Sequence, residues 1–498
     1  MNQLLIIALP FTSTVSPSLA PALLKACAES QGVTATAWDL SAEFNNKYSK
    51  HENYFPVIAW LQDEQLKPYE HQLSWYKSVV EEYADRIVNF YKPKVVALSL
   101  LTISSMRFAE DLSYALRLKN SDITIIIGGS PVDTYRFQFN KLWCEIIVES
   151  KLADAVLVGE GEYAIAEIVK NNLKGIIRQP QMTNQQFDQV PFPDYSDYDF
   201  TVYDRKKKKY WSKEVHTDPV PILLITSSKG CVKSCTFCDV GRIWNKFRYR
   251  NGLKVAEEII HLHKTYGATV FSFTDSLMNG GMKPFYEMNK TLSSKLPSTV
   301  KYDGQMICRG KKDMPEFHFE QMQQAGCYAV TIGIESGSER VRNDMGKGSS
   351  QEDIHYSTEM LIKYKIKQGW NIIAGYPTET QSDWDETMQL VKYWLPRSNG
   401  LLRIHPVGTM SLLDGTPITE TDLYHHLELE SINLSGYSQF AWTSRKNPNN
   451  TFETRAANFL ELCNYLIDYN PEEYEQGLKP QMDLTQRRLE LYYEHNKL

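Results

Sequence analysis

Three cysteines stand close enough in the chain to act together. Cys231, Cys235 and Cys238 fall in GCVKSCTFC, a C-x-x-x-C-x-x-C pattern that opens on Gly230 and carries Phe237 just before the third thiol. Thiolate is the ligand that iron–sulfur clusters, zinc and copper(I) prefer, and so short a loop lets three sulfurs turn towards one centre. Three protein ligands are one short for a closed four-iron cluster, which would keep one iron for a ligand that is not protein. Structural zinc usually takes two C-x-x-C pairs or Cys2His2, and the next cysteines, Cys308 and Cys327, stand alone. Eight cysteines in 498 residues without a pairing pattern argue against a disulfide framework and for a reducing compartment. Cys27, Cys144, Cys308, Cys327 and Cys463 then read as small buried residues.

Further polar groups recur where short apolar runs end in the second half of the chain. They are Asp275-Ser276, Arg309, Glu335-Ser336, Gly375-Tyr376-Pro377 with Glu379 behind, and His405. Each also has a plain structural part to play: Asp275 as a helix N-cap, Glu335 as the ion-pair partner of Arg309. The adjacent His425-His426 would not face the same way on a helix and reads as a surface pair.

The elements that position these residues follow from periodicity. Continuous β-branched runs at Leu4–Leu9, Val95–Leu101, Ile123–Ile127 and Ala155–Val158 alternate with helical stretches such as 20–29 and 108–119. That is the pattern of parallel strands covered on both faces, a doubly wound α/β domain over residues 1–185 with ligands at the strands' carboxyl ends. Glycines follow two of those strands, at Gly128-Gly129 and at Gly159-Glu160-Gly161-Glu162, but no G-x-G-x-x-G does. A Pro- and Asp-rich linker over 186–220 includes Lys206–Lys209, read as a solvated loop. Six further strands, at 222–226, 269–274, 300–306, 328–334, 370–374 and 401–406, alternate with helices. They predict a partial (β/α)6 barrel over 221–410, where chemistry sits at the carboxyl ends. Residues 411–498 read as a small, mostly helical region whose aromatic-rich helices cap the barrel mouth, and the insert 41–92 receives no function.

The cysteine loop resembles that of radical S-adenosylmethionine (SAM) enzymes, and the first 170 residues resemble the cobalamin-binding domain found ahead of the barrel in one branch of that family. "FSFTDS", "GIESGSERVRNDMGKG" and "IIAGYPTET" are similar to the family's second, fourth and fifth strand motifs. The resemblance implies a [4Fe–4S] cluster on Cys231, Cys235 and Cys238, beside Phe237. It also implies SAM contacts from Asp275, Ser276, Arg309, Glu335, Arg340 and the backbone of Gly375, Tyr376, Pro377 and Thr378. For cobalamin it implies Ser99, Thr102, Ser104, Gly128, Gly129, Gly159, Glu160, Gly161 and Glu162. One departure stands out: the loop matching D-x-H-x-x-G is PFTSTVSPS, and the first histidine is His51, so cobalamin would lack a histidine lower ligand.

A net charge of −6, an apolar share of 42% and the lack of a run near the ~20 apolar residues of a membrane span describe a cytoplasmic globular protein with neither nucleic acid nor membrane as partner. The resemblance implies cobalamin-dependent methyl transfer to an unactivated carbon or phosphorus centre of a small-molecule or peptide substrate. A flavodoxin or ferredoxin would supply the electron. The alternatives are a radical rearrangement or cyclisation without methyl transfer, and a cofactor-binding sensor without turnover.

Overall fold

The computed structural model describes residues 3–10, 15–62, 68–133, 135–136, 141–203, 222–432 and 439–496. Its chain packs as two compact units, one comprising Met1–Ile225 with His261–Phe271 and the other Thr226–Ile260 with Ser272–Leu498.

In the first unit, six strands form one sheet: β1 (Leu4–Ala8), β2 (Ala35–Asp39), β3 (Val95–Leu100), β4 (Thr124–Gly129), β5 (Ala155–Val158) and β6 (Gly175–Arg178). Their spatial order is β2-β1-β3-β4-β5-β6, and every neighbouring pair is parallel. Strand order reverses between β1 and β3, the switch point at which open α/β sheets bind ligands. Every residue of β1 is buried, as expected for a strand covered on both faces. Strands β2 and β6 add to the four expected from sequence. β6 is an edge strand whose burial alternates, and β2 carries Thr36 and Asp39 among its five residues, so neither offers a continuous apolar run. The insert supplies three helices, α1 (Leu40–Tyr48), α2 (Tyr54–Gln62) and α3 (Glu70–Arg86). Their Phe44, Val57, Tyr76 and Tyr83 belong to the same core as Ile7 and Leu98, so the insert builds one of the sheet's covering layers.

A second six-stranded sheet runs in simple sequence order: β7 (Leu223–Ile225), β8 (Val270–Phe273), β9 (Lys301–Met306), β10 (Cys327–Glu335), β11 (Lys367–Ala374) and β12 (Leu402–Thr409). The β9–β12 pairs are parallel, and helices such as α4 (Met282–Lys295) and α5 (Gln351–Lys363) intervene, as a partial β/α barrel requires. β12 continues to Thr409, so His405 lies within the strand, opposite Asn371, and not at its end as expected. Helix α6 (Phe452–Tyr469) packs against β11 and β12. Lys206–Lys209 and residues 11–14 of the first strand's loop lie outside the described residues. Among the described residues no helix is long and apolar enough to cross a membrane.

Candidate cofactor sites

The cysteine loop leaves β7 through Thr226 and Ser227, and Asp275, just past β8, fastens it there. The Asp275 carboxylate accepts from the Ser227 N–H at 2.8 Å, from the Ser227 hydroxyl and from the Ser228 hydroxyl at 3.1 Å. Burial pushes this carboxyl up to about 6 although those donors favour the anion. Asp275 therefore clamps the loop's first residues to the neighbouring strand and does not cap a helix. Ser276 beside it is half-buried.

Gly230 makes the bend. Its φ is +85°, and a Cβ there would stand 2.7 Å from the Lys246 carbonyl oxygen, so only glycine fits. The three thiols that follow are free and half-buried. A turn from the Cys238 N–H to the Cys235 carbonyl at 3.1 Å sets the last two. Phe237 packs on the apolar cluster of Val341, Met345, Tyr376 and Met410. Thr236 shares a hydrogen bond of 2.9 Å with the Tyr376 hydroxyl, which in turn donates to the Asp344 carbonyl at 3.0 Å. Tyr376 and Phe237, expected as cofactor contacts, thus anchor the loop from behind.

Burial raises the Cys235 thiol to about 11, and Cys238 and Cys231 press the same way, whereas Lys347 opposes them. Burial raises the Cys238 thiol as well, and thiols that resist ionising call for a cationic centre. Among the described residues no three His, Cys, Asp or Glu groups could hold a single metal ion. A cluster that binds each cysteine through a different iron spreads its ligands more widely, and three thiolates with no fourth protein donor suit it.

Lys347 escaped the sequence reading although it lies inside the quoted MGKG. It is buried, flanked by Gly346 and Gly348 at positive φ, and its ammonium is 2.7 Å from Glu335. Burial depresses its pKa, but Glu335 and the Cys235 thiol more than offset this and keep it charged. Glu335 closes β10 with a φ of +65°, strained for a non-glycine residue, and its partner is Lys347, not Arg309. Arg309 instead donates to the carbonyls of Asn279 at 3.1 Å and Gly280 at 3.3 Å. Arg340 is spent on Asp383, on Asp344 at 2.9 Å and on the Thr378 carbonyl at 2.8 Å, so it braces the loop after β11.

That loop is held from every side. The Gly375 amide, expected to face a ligand, donates to Glu379 at 2.5 Å, and Pro377 has no N–H to offer. The carbonyls of Tyr376, Pro377 and Glu379 accept from Asn450 at 2.7 Å and Asn447 at 3.0 and 2.8 Å. Glu379 is buried, and burial pushes its carboxyl up to about 8.

At the first unit's sheet, parallel pairing brings Ser99 beside Gly128 and Leu100 beside Gly129 at the carboxyl edge. Ser99, Thr102, Ser104 and Gly128 are half-buried there, and Gly159 is exposed. Gly129 has a φ of +127° and would put a Cβ 1.8 Å from the Leu100 carbonyl oxygen, so its glycine serves the strand pair. Glu160 is turned inward, accepting from the Met182 N–H at 2.5 Å; Glu162 is buried, and Gly161 lies against Leu24. These three belong to the packing of the unit. Leu101 and Ile103, about 60% exposed, form an apolar shelf at the same edge that sequence patterning did not mark. His51 is stacked on Trp75 at 4.6 Å within the helical insert.

Residues 225–391 match the family model described as the radical SAM superfamily. The chain carries a radical SAM domain. It is 25% identical over 329 residues to an uncharacterized methyltransferase of Pyrococcus horikoshii, covering 62% of this chain and 66% of that one. It is 22% identical over 298 residues to an anaerobic magnesium-protoporphyrin IX monomethyl ester cyclase of Synechocystis, covering 57% and 56%. The chain thus spans about half to two thirds of the length of these curated relatives. In fold it matches the radical SAM methyltransferase TsrM of Kitasatospora setae, with a TM-score of 0.57 at 13% identity over 91% of this chain and 83% of that one. It also matches the cobalamin-dependent SAM radical enzyme OxsB, with a TM-score of 0.62 at 14% identity over 100% and 71%.

Proposed function

We propose that this protein is a cobalamin-dependent radical SAM methyltransferase acting on an unactivated carbon or phosphorus centre. The observation that carries the reading is the trio of half-buried thiols, bent around Gly230, backed by Phe237 and Tyr376 and inside the matched radical SAM segment. Cys231, Cys235 and Cys238 would hold a [4Fe–4S] cluster that supplies the electron for cleaving SAM to methionine and a 5′-deoxyadenosyl radical, while cobalamin carries the methyl group. The chain's own part is positional. Asp275 fixes where the loop starts, Tyr376 and Thr236 fix its middle, and Lys347 sets a positive charge beside the sulfurs. Asn447, Asn450 and Arg340 hold the turn after β11. In the first unit, the half-buried Ser99 and Gly128 with the shelf of Leu101 and Ile103 offer a mixed polar and apolar edge that suits a corrinoid without a histidine ligand. A flavodoxin or ferredoxin would deliver the electron, and the substrate would be a small molecule or peptide.

The relative named as a cyclase supports a second reading, radical chemistry without methyl transfer. Products decide between them. Anaerobically reconstituted, reduced protein given SAM and hydroxocobalamin yields both 5′-deoxyadenosine and S-adenosylhomocysteine if methyl transfer runs. It yields 5′-deoxyadenosine alone under the second reading, and neither if the protein is a sensor.

A further inference from the structure

The turn at residues 345–348 lies along the cysteine loop. Its Met345 carbonyl accepts from the Thr236 N–H at 2.9 Å, and its Gly348 carbonyl accepts from the Lys233 ammonium at 3.3 Å. Between them the Gly346 carbonyl oxygen stands 4.0 Å from the Cys235 sulfur. Gly346 and Gly348 sit at φ of +75° and +57°, so the backbone folds tightly around the buried Lys347 between them. Arg342, buried in the helix Glu339–Asp344, fixes the placement. It donates to the Ser336 carbonyl at 2.8 Å and to the Ser349 carbonyl at 2.9 Å, and its own carbonyl accepts from the Lys347 N–H at 2.9 Å. One guanidinium thus ties the residue after Glu335 to the stretch that carries Lys347.

The ammonium of Lys347 and the carboxylate of Glu335 meet at 2.7 Å over Gly333, where an added Cβ would collide with both. Buried charges are poorly screened by water and salt, so this pair acts on its surroundings at nearly full strength. It is a dipole with a direction. Lys347 favours the anionic form of Cys235 more than Glu335 opposes it, which makes the ammonium the end nearer the sulfur. Its field reaches Cys231 and Cys238 as well. The other charges that bear on the thiols are Arg309 at Cys231 and Asp239 at Cys238. A four-iron cluster on three thiolates is net negative, and one electron from an external carrier makes it more so. A fixed cation nearby therefore favours the reduced form and raises the potential, and a fixed anion does the reverse.

We propose that the Lys347–Glu335 pair sets the reduction potential at the cysteine loop, the ammonium raising it and the carboxylate limiting that rise. Both residues act through the thiolates, as positioning charges. The proposal rests on the radical SAM reading above in requiring that the three cysteines hold a cluster.

A dithionite redox titration of the anaerobically reconstituted full chain, without SAM and followed by electron paramagnetic resonance of the reduced cluster, reads the potential directly. Lys347→Met moves the midpoint to more negative values and Glu335→Gln to more positive ones, whereas Lys347→Arg stays near the wild type. Lys347→Met/Glu335→Gln leaves no buried ion unpaired, so it serves where a single variant does not fold. Its midpoint lies below the wild type, because the nearer charge is lost, and above that of Lys347→Met. These differences persist in about 1 M KCl, where exposed charges are screened over about 3 Å. A loop that is merely loosened admits water in every variant and shifts all midpoints the same way. Midpoints that stay put, move together or converge at high salt would overturn the proposal. Iron and sulfide analysis of the same samples keeps the two readings apart. Wild-type protein without a four-iron cluster overturns both, and a cluster whose potential ignores these substitutions overturns the dipole alone.

Discussion

Lys347 and Glu335 carry the electrostatics of the cysteine loop. Their side chains are 10% and 9% exposed, so removing one leaves the other charge buried without its counter-ion. Lys347→Met should cost about 3–5 kcal/mol, read as a lowered urea midpoint, whereas an exposed pair would cost under about 1 kcal/mol. Glu379 makes a pH prediction. Its folded pKa of about 8 lies above the ordinary 4.5, so the folded protein holds a proton that the unfolded chain releases. Its contribution is full below pH 4.5 and drains away as pH rises through about 8. Glu379→Gln retains an acceptor for the Gly375 N–H and should flatten the fall in urea midpoint across that window; an unchanged slope would mean the carboxyl is already ionised.

At the scale of elements, much was legible. Continuous apolar runs gave the central strands of the first sheet, because a strand covered on both faces has no polar alternation to hide it, whereas Lys301–Met306 in the second sheet alternates in burial. The two edge strands, β2 and β6, lacked that signal. The cysteine spacing marked the loop, since ligand geometry is local in sequence. The part the Tyr376 side chain plays in the loop was hidden for the opposite reason: its partners Thr236 and Asp344 are far along the chain, and only the fold turns its hydroxyl towards them. The grip of Asn447 and Asn450 on the turn after β11 was likewise invisible, being a contact between loops some 70 residues apart. Asn450→Ala should leave the Tyr376 carbonyl buried without its donor, costing about 1–3 kcal/mol. SAM affinity should fall with it, by equilibrium binding, if that turn contacts SAM. In the other sheet, Gly129→Ala must drive a methyl into the Leu100 carbonyl at positive φ. The variant should lose more than about 1 kcal/mol and its circular-dichroism melt should move down accordingly; an unmoved melt would contradict the described strand pair.

At the scale of the molecule, two six-stranded sheets each gather candidate cofactor residues at the carboxyl edge. The fold accounts for where those residues stand, and chemistry must be asked of the thiols. The most direct measurement is metal, sulfide and product analysis of anaerobically reconstituted protein beside its Cys235→Ala variant. The account predicts a four-iron cluster with matching sulfide and 5′-deoxyadenosine on reduction with SAM, both lost in the variant. Zinc at the loop, or a loop that binds no metal and yields no 5′-deoxyadenosine, would contradict it.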